Sequence, residues 1–149
     1  VGTCLPLNKA HLMSKASDNS VASSKAVTVL TYLHGVREAV NAIPEIQAAG
    51  HDVDLIELRS LKPLDLDTIR ESLSRTHKLC ILDESTQSGG VGASISALVG
   101  EELFDELDAP VKRLCMDDAP VPYASSMEQA VVKRGSDLVI AVKELVDYV

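Results

Sequence analysis

The sequence predicts an α/β domain: a largely parallel sheet covered by helices on both faces. Three observations carry that expectation. Segments with a strand pattern alternate with helical segments four times along 149 residues, an order that favours parallel pairing through right-handed crossovers. The strand segments are apolar throughout, as in VTVLTYL at 27–33, which suits strands held between two helix layers. The third observation is KLCILDESTQSGGVGASISAL at 78–98. Here an apolar run ends in Asp83, Glu84 and Ser85, crosses a polar loop, and meets Gly89, Gly90 and Gly92 at the start of an Ala/Ser/Leu-rich helical pattern. Strand, loop and helix in that order form the repeating unit of a parallel α/β sheet.

Taken in order, residues 1–9 carry Pro6 and no clear period, and read as a linker. A short strand at 10–14 precedes KASDNSVASSK, whose polar content reads as an exposed, disordered loop. Residues 1–26 thus form a lead-in with an edge strand and a loop, and 27–149 form the α/β body. The strand at 27–33 ends at His34-Gly35, and apolar residues then recur at helical spacing (Val36, Ala39, Val40, Ile43, Ile46) until Gly50 closes the helix as a left-handed cap. Pro44 sits inside that pattern and is expected to kink or split it, because it removes a backbone donor. A strand at 53–58 leads through a Pro63-containing connection to Asp65, which caps a helix over 66–75 with Asp67 and Arg75 complementing its dipole. A strand at 79–82, a helix over 91–106, a last strand at 111–116, the Pro120/Pro122 segment and two helices at 127–133 and 137–146 complete the chain.

Composition narrows the function. With 14 Lys and Arg against 22 Asp and Glu, the formal charge is 14 − 22 = −8, which argues against nucleic acid or an anionic membrane surface as partner. Four aromatic residues, Tyr32, Phe104, Tyr123 and Tyr148, cannot build a platform for stacked bases. No apolar run is long enough to span a bilayer, and the start lacks the layout of a signal peptide. The absence of an initiator Met at Val1 suggests a piece of something longer. Cys4, Cys80 and Cys115 have no paired spacing; they read as buried free thiols in a reducing compartment, not as metal ligands.

In an open α/β sheet, ligands favour the crevice where successive crossovers leave in opposite directions. Its candidate lining is His34, Gly35, Asp83, Glu84, Ser85, Gly89, Gly90 and Gly92. One reading places a small anion on the helix that follows Gly92. The other holds that the glycines permit a tight turn and that Glu84 bonds to loop amides, which the carboxylates and the lack of a P-loop spacing favour. His34 has no orienting partner in the sequence, His11, His51 and His77 read as surface residues, and Ser85, Ser88 and Ser94 lack the setting of an activated nucleophile. No catalytic, cofactor-binding or metal-ligating residue is assigned.

Four segments, KPLDLDTI at 62–69, GGVGA at 89–93, LDAPVKRL at 107–114 and DAPVPY at 118–123, together resemble the carboxyl-terminal domain of the beta subunits of pyruvate dehydrogenases. The same domain type closes transketolase and deoxyxylulose-phosphate synthase, which remain alternatives, as does a free-standing module for a small anion. THKLCILDES and GGVGAS are closest to the plastid and cyanobacterial form. The resemblance implies a five-stranded mixed sheet of order 1-3-2-4-5 with an antiparallel first strand. It implies an enzyme that uses thiamine diphosphate with Mg, bound outside this domain, so that the fragment alone is inactive. The implied partners are an alpha subunit, a second beta subunit and the peripheral-binding domain of a dihydrolipoamide acetyltransferase core. Candidate contacts are Asp118, Pro120, Pro122 and Tyr123, and at the carboxyl end Glu144, Asp147 and Val149. The implied location is the stroma of a plastid or apicoplast, with the mitochondrial matrix or a bacterial cytoplasm as alternatives.

Overall fold

The computed structural model describes residues 6–148, so Cys4 and Val149 lie outside the described residues. Five strands, β1 (His11–Ser14), β2 (Ala26–Thr31), β3 (Asp52–Glu57), β4 (Leu79–Thr86) and β5 (Lys112–Met116), form one sheet in the order β1-β3-β2-β4-β5. β1 pairs antiparallel with β3, and the other neighbours are parallel. This is the order the resemblance implied.

Helices α2 (His34–Ala48) and α6 (Gly135–Val146) cover one face, and α3 (Leu66–Thr76) and α4 (Val91–Glu102) cover the other. Strand alternation divides the core accordingly. Val27, Val29, Leu55, Cys80 and Leu82 pack with Ala39, Ala42, Ile46 and Leu138, while Leu30, Ile56, Leu79 and Ile81 pack with Ile69, Leu73, Ile95 and Val99. Every residue of β2 is buried, as a central strand between two helix layers requires.

Local signals behave as their chemistry dictates. Asp65 accepts from the Thr68 amide at 3.4 Å and caps α3, while Gly50 follows α2 with φ of 82°. Some expectations are corrected. The segment read as a disordered loop contains helix α1 (Asp18–Ala22), capped by Ser17, and Ala16 is buried. Its backbone is held from a distance: the amide of Ala16 donates to Asp54 at 2.8 Å and that of Ser17 to Asp52 at 2.9 Å. Pro44 does not split α2, which runs unbroken on both sides of it. Ala39, Ala42 and Ile46 anchor the helix to the sheet, and Val40, whose carbonyl loses a donor to the proline ring, is 41% exposed, so water can serve that oxygen.

Other boundaries move. β2 stops at Thr31 and Leu33 adopts φ of 49°, because the chain must turn at once into α2. The helix expected to reach 106 ends at Glu102 and is followed by a 3₁₀ turn, Phe104–Glu106. The last helices are α5 (Ser125–Val131) and α6. His77, read as a surface residue, is half-buried at the left-handed end of α3, and Nδ1 of His51 is buried without a partner.

Candidate functional site

The carboxyl ends of β2 and β4 form the crevice. β4 is longer than its apolar run suggests, because Asp83, Glu84 and Ser85 continue the strand. The β4–β5 register holds to Leu82↔Leu114 and resumes at Thr86↔Met116, so three residues of β4 face one of β5 and the strand bulges where the carboxylates sit.

Adjacent strand residues point to opposite faces, and here each carboxylate takes the first amides of the helix on its own side. Asp83 Oδ2 accepts from the Gly92 amide of α4 at 2.6 Å and from the Ser85 hydroxyl at 2.5 Å; Oδ1 accepts from the Tyr32 hydroxyl at 2.5 Å and from the Ser85 amide at 2.8 Å. Glu84 Oε1 accepts from the Gly35 amide of α2 at 3.0 Å. Negative charge at the positive end of a helix is favourable, so two side chains of this chain occupy the places an incoming anion would use. Gly92 allows the approach: a Cβ there would lie 2.8 Å from Asp83 Oδ2.

Burial pushes the Asp83 carboxyl upward, but the hydrogen bonds from Ser85, Tyr32 and the Gly92 amide outweigh it and hold its pKa below the ordinary carboxylate value. Burial, the hydrogen bond to Asp83 and that carboxylate's charge push the Tyr32 phenol far up. Neither group is poised to exchange a proton near neutrality. Cys80 is buried and its thiol is pushed up to about 12 by that burial.

Above the crevice, His34, Glu84, Met116, Val121, Glu128, Val132 and Arg134 surround an open cavity of about 320 Å³. His34 Nε2 lies 3.9 Å from Glu38, Arg134 Nη1 lies 3.7 Å from it, and the Gly135 amide donates to it at 2.9 Å, which joins the starts of α2 and α6. Asp118 accepts from the Ser88 amide at 2.8 Å and hydroxyl at 2.5 Å, fastening the Gly89–Gly90 loop to the proline segment. Those bonds hold Asp118 below its usual range. Pro120 and Tyr123 are exposed and Pro122 is half-buried. Glu144 pairs with Lys112 at 2.7 Å, and Asp147 caps α6, both exposed and on the opposite flank.

Among the described residues no group of His, Cys, Asp and Glu is placed to hold a metal ion, and no helix is long and apolar enough to cross a membrane. The crevice does not fit a diphosphate either: its two helix-start amides are already bonded, to carboxylates that would repel one. Sequence reasoning missed Tyr32, whose signal was a hydroxyl at the end of a fully apolar strand. It also missed the buried cluster in which Thr28 Oγ1 lies 2.6 Å from Ser72 Oγ, Ser72 donates to Asp54 at 2.8 Å, and Arg75 donates to Asp54 at 3.0 Å.

A mixed five-stranded sheet of this order, sealed at its switch point by its own side chains, defines the class, and the family comparison agrees. The chain belongs to the transketolase C-terminal domain family, which matches residues 19–136. Within it, the chain is 40% identical over 143 residues to the pyruvate dehydrogenase E1 component subunit beta of Porphyra purpurea, covering 96% of this chain and 41% of the relative. It is 38% identical over 125 residues to the chloroplastic subunit beta-2 of Arabidopsis thaliana, covering 84% and 31%. The chain thus spans between 31% and 41% of the length of these curated relatives. Among solved structures, one described as "Split gene transketolase, inactive beta4 tetramer" superposes with a TM-score of 0.78 at 19% identity, over 97% of this chain and 43% of that one. That likeness concerns the fold.

Proposed function

We propose that this chain is the carboxyl-terminal domain of a pyruvate dehydrogenase E1 beta subunit and that it serves assembly, with the chemistry performed elsewhere in the protein. The observation that carries the reading is the pairing of 40% identity across 96% of the chain with a crevice whose amides are taken by Asp83 and Glu84. The first supports the subunit type. The second supports a domain that holds its own architecture rigid.

On this reading the complete enzyme decarboxylates pyruvate with thiamine diphosphate and Mg held outside this domain, and passes the acetyl group to a lipoyl arm. Asp118, Pro120, Pro122 and Tyr123 form a stiff rim suited to subunit contact; Tyr123 is fully exposed. Glu144 and Asp147 offer negative charge to the peripheral-binding domain of the acetyltransferase core. The alpha subunit and a second beta subunit complete the assembly, in the stroma of a plastid or apicoplast. The small-anion reading is not carried forward, since no observation favours it over the self-made contacts.

The test is to combine the full-length protein with its alpha subunit and measure acceptor reduction. Pyruvate-dependent turnover is expected; preference for a branched-chain 2-oxo acid or a sugar phosphate overturns the assignment.

A further inference from the structure

The amino-terminal end of the sheet holds a buried charge that neither the crevice nor the core explains. Lys78 immediately precedes β4 and is 5% exposed, a degree of burial that lysine reaches only where its ammonium finds partners. Its Nζ donates to the Val146 carbonyl at 3.1 Å and to the Ser24 carbonyl at 3.3 Å, and among the described residues no carboxylate pairs with it. Its own backbone is fixed to the central strand, since the Thr28 amide donates to the Lys78 carbonyl at 2.9 Å. One side chain therefore ties the start of β4 to the turn that leads into β2, 54 residues away, and to the last residue of α6, 68 residues away.

A helix leaves its last four carbonyls without intrahelical donors. In α6 the Asp147 amide serves Lys143 at 2.9 Å and the Tyr148 amide serves Leu145 at 3.4 Å, while the outermost carbonyl, that of Val146, is served by Lys78. A cation there also meets the negative end of the helix dipole. Stability alone does not call for a lysine. An apolar side chain of similar length would fill the same space without desolvating a charge, and exchanges of that kind are commonly neutral or favourable. What an apolar side chain cannot do is hold the Val146 carbonyl in a fixed direction. That direction sets the course of Asp147 and Tyr148, both exposed, and the seat of the last turn, which carries Glu144.

We propose that Lys78 is a positioning residue for assembly: from inside the domain it fixes the carboxyl end of α6, and with it the placement of Glu144 and Asp147. The inference deepens the reading above and rests on it for its probe, the peripheral-binding domain. Full-length protein assembled with its alpha subunit is prepared as wild type, Lys78→Met and Lys78→Arg. Hydrogen exchange of the peptide covering 143–148 and binding of the peripheral-binding domain are then measured. Lys78→Met is expected to speed that exchange roughly tenfold and to weaken binding by a similar factor, the scale of one hydrogen bond. The unfolding midpoint and pyruvate-dependent acceptor reduction should not change. Lys78→Arg, which still donates to both carbonyls, should recover most of both losses. Unchanged exchange in Lys78→Met, unchanged binding where the wild type binds, exchange quickened evenly over β2, β4 and α6, or no recovery in Lys78→Arg overturns the proposal. If Lys78→Met does not fold, the native lysine decides. A chain ending at Leu145 should expose Lys78 to acylation by an amine-directed ester that spares it in the complete chain, and equal labelling of the two overturns the proposal. Failure of the wild type to bind the peripheral-binding domain refutes the docking reading, while the exchange comparison still decides the role of Lys78.

Discussion

Replacing Asp83 with asparagine is the sharpest test of how the crevice is built. Asp83 is 2% exposed and accepts four hydrogen bonds, two at each carboxylate oxygen. Asparagine keeps one oxygen and turns the other into a donor. If the amide nitrogen replaces Oδ2, it faces the Gly92 amide and the Ser85 hydroxyl; if it replaces Oδ1, it faces the Ser85 amide and the Tyr32 hydroxyl. A hydroxyl can rotate to accept, but a backbone amide cannot, so either orientation strands one amide. One unsatisfied buried donor costs about 1–3 kcal/mol, and weakening the remaining charge-assisted bonds adds to it. The expected loss is about 2–4 kcal/mol, read as a lower denaturant midpoint at unchanged slope.

The pH dependence is signed. The folded pKa of Asp83 lies below its ordinary value, so its contribution is fully present above the unfolded carboxylate pKa of about 4 and is lost as pH falls through the folded pKa. The gap between wild type and Asp83→Asn should therefore be constant from pH 7 to about 5 and shrink below about 4. A loss under about 0.5 kcal/mol at pH 7, or a gap that widens in acid, would refute the claim that this carboxylate fastens β4 to β2 and α4.

Further outcomes follow from the same contacts. Gly92→Ala drives a Cβ to 2.8 Å from Asp83 Oδ2 and should cost about 1–3 kcal/mol in thermal or denaturant unfolding. Arg75→Ala leaves the fully buried Asp54 without its cation, a contact now at 3.0 Å; about 3 kcal/mol should be lost, with faster amide exchange at Ala16 and Ser17. Pro44→Ala restores a helix amide opposite the Val40 carbonyl in the middle of α2 and should stabilise the domain by about 1 kcal/mol, seen as a raised Tm. With its thiol pushed up to about 12, Cys80 in the folded chain should resist iodoacetamide at pH 8, where roughly one thiol in ten thousand is ionised, and react on unfolding.

The sequence alone determined the elements whose signals are local. Period and β-branching marked β2, Asp65 and Gly50 marked helix ends, and the alternation of strands and helices required a largely parallel sheet. The glycines at 89, 90 and 92 announced a tight strand-to-helix passage, and the four motif segments announced the family. What tertiary structure decided is every outcome set by a distant partner. The entry into α1 is fixed because Asp52 and Asp54, more than 30 residues away, accept the amides of Ser17 and Ala16 just before it, and α2 survives Pro44 because three of its residues are held in the core. The roles of Asp83 and Glu84 needed the strand to continue past its apolar run, so that neighbouring carboxylates faced opposite helices. A sequence records which residues prefer a helix, strand or turn because those preferences act over a few bonds; which carboxylate meets which amide is fixed only when chain segments far apart in sequence are brought within hydrogen-bond reach.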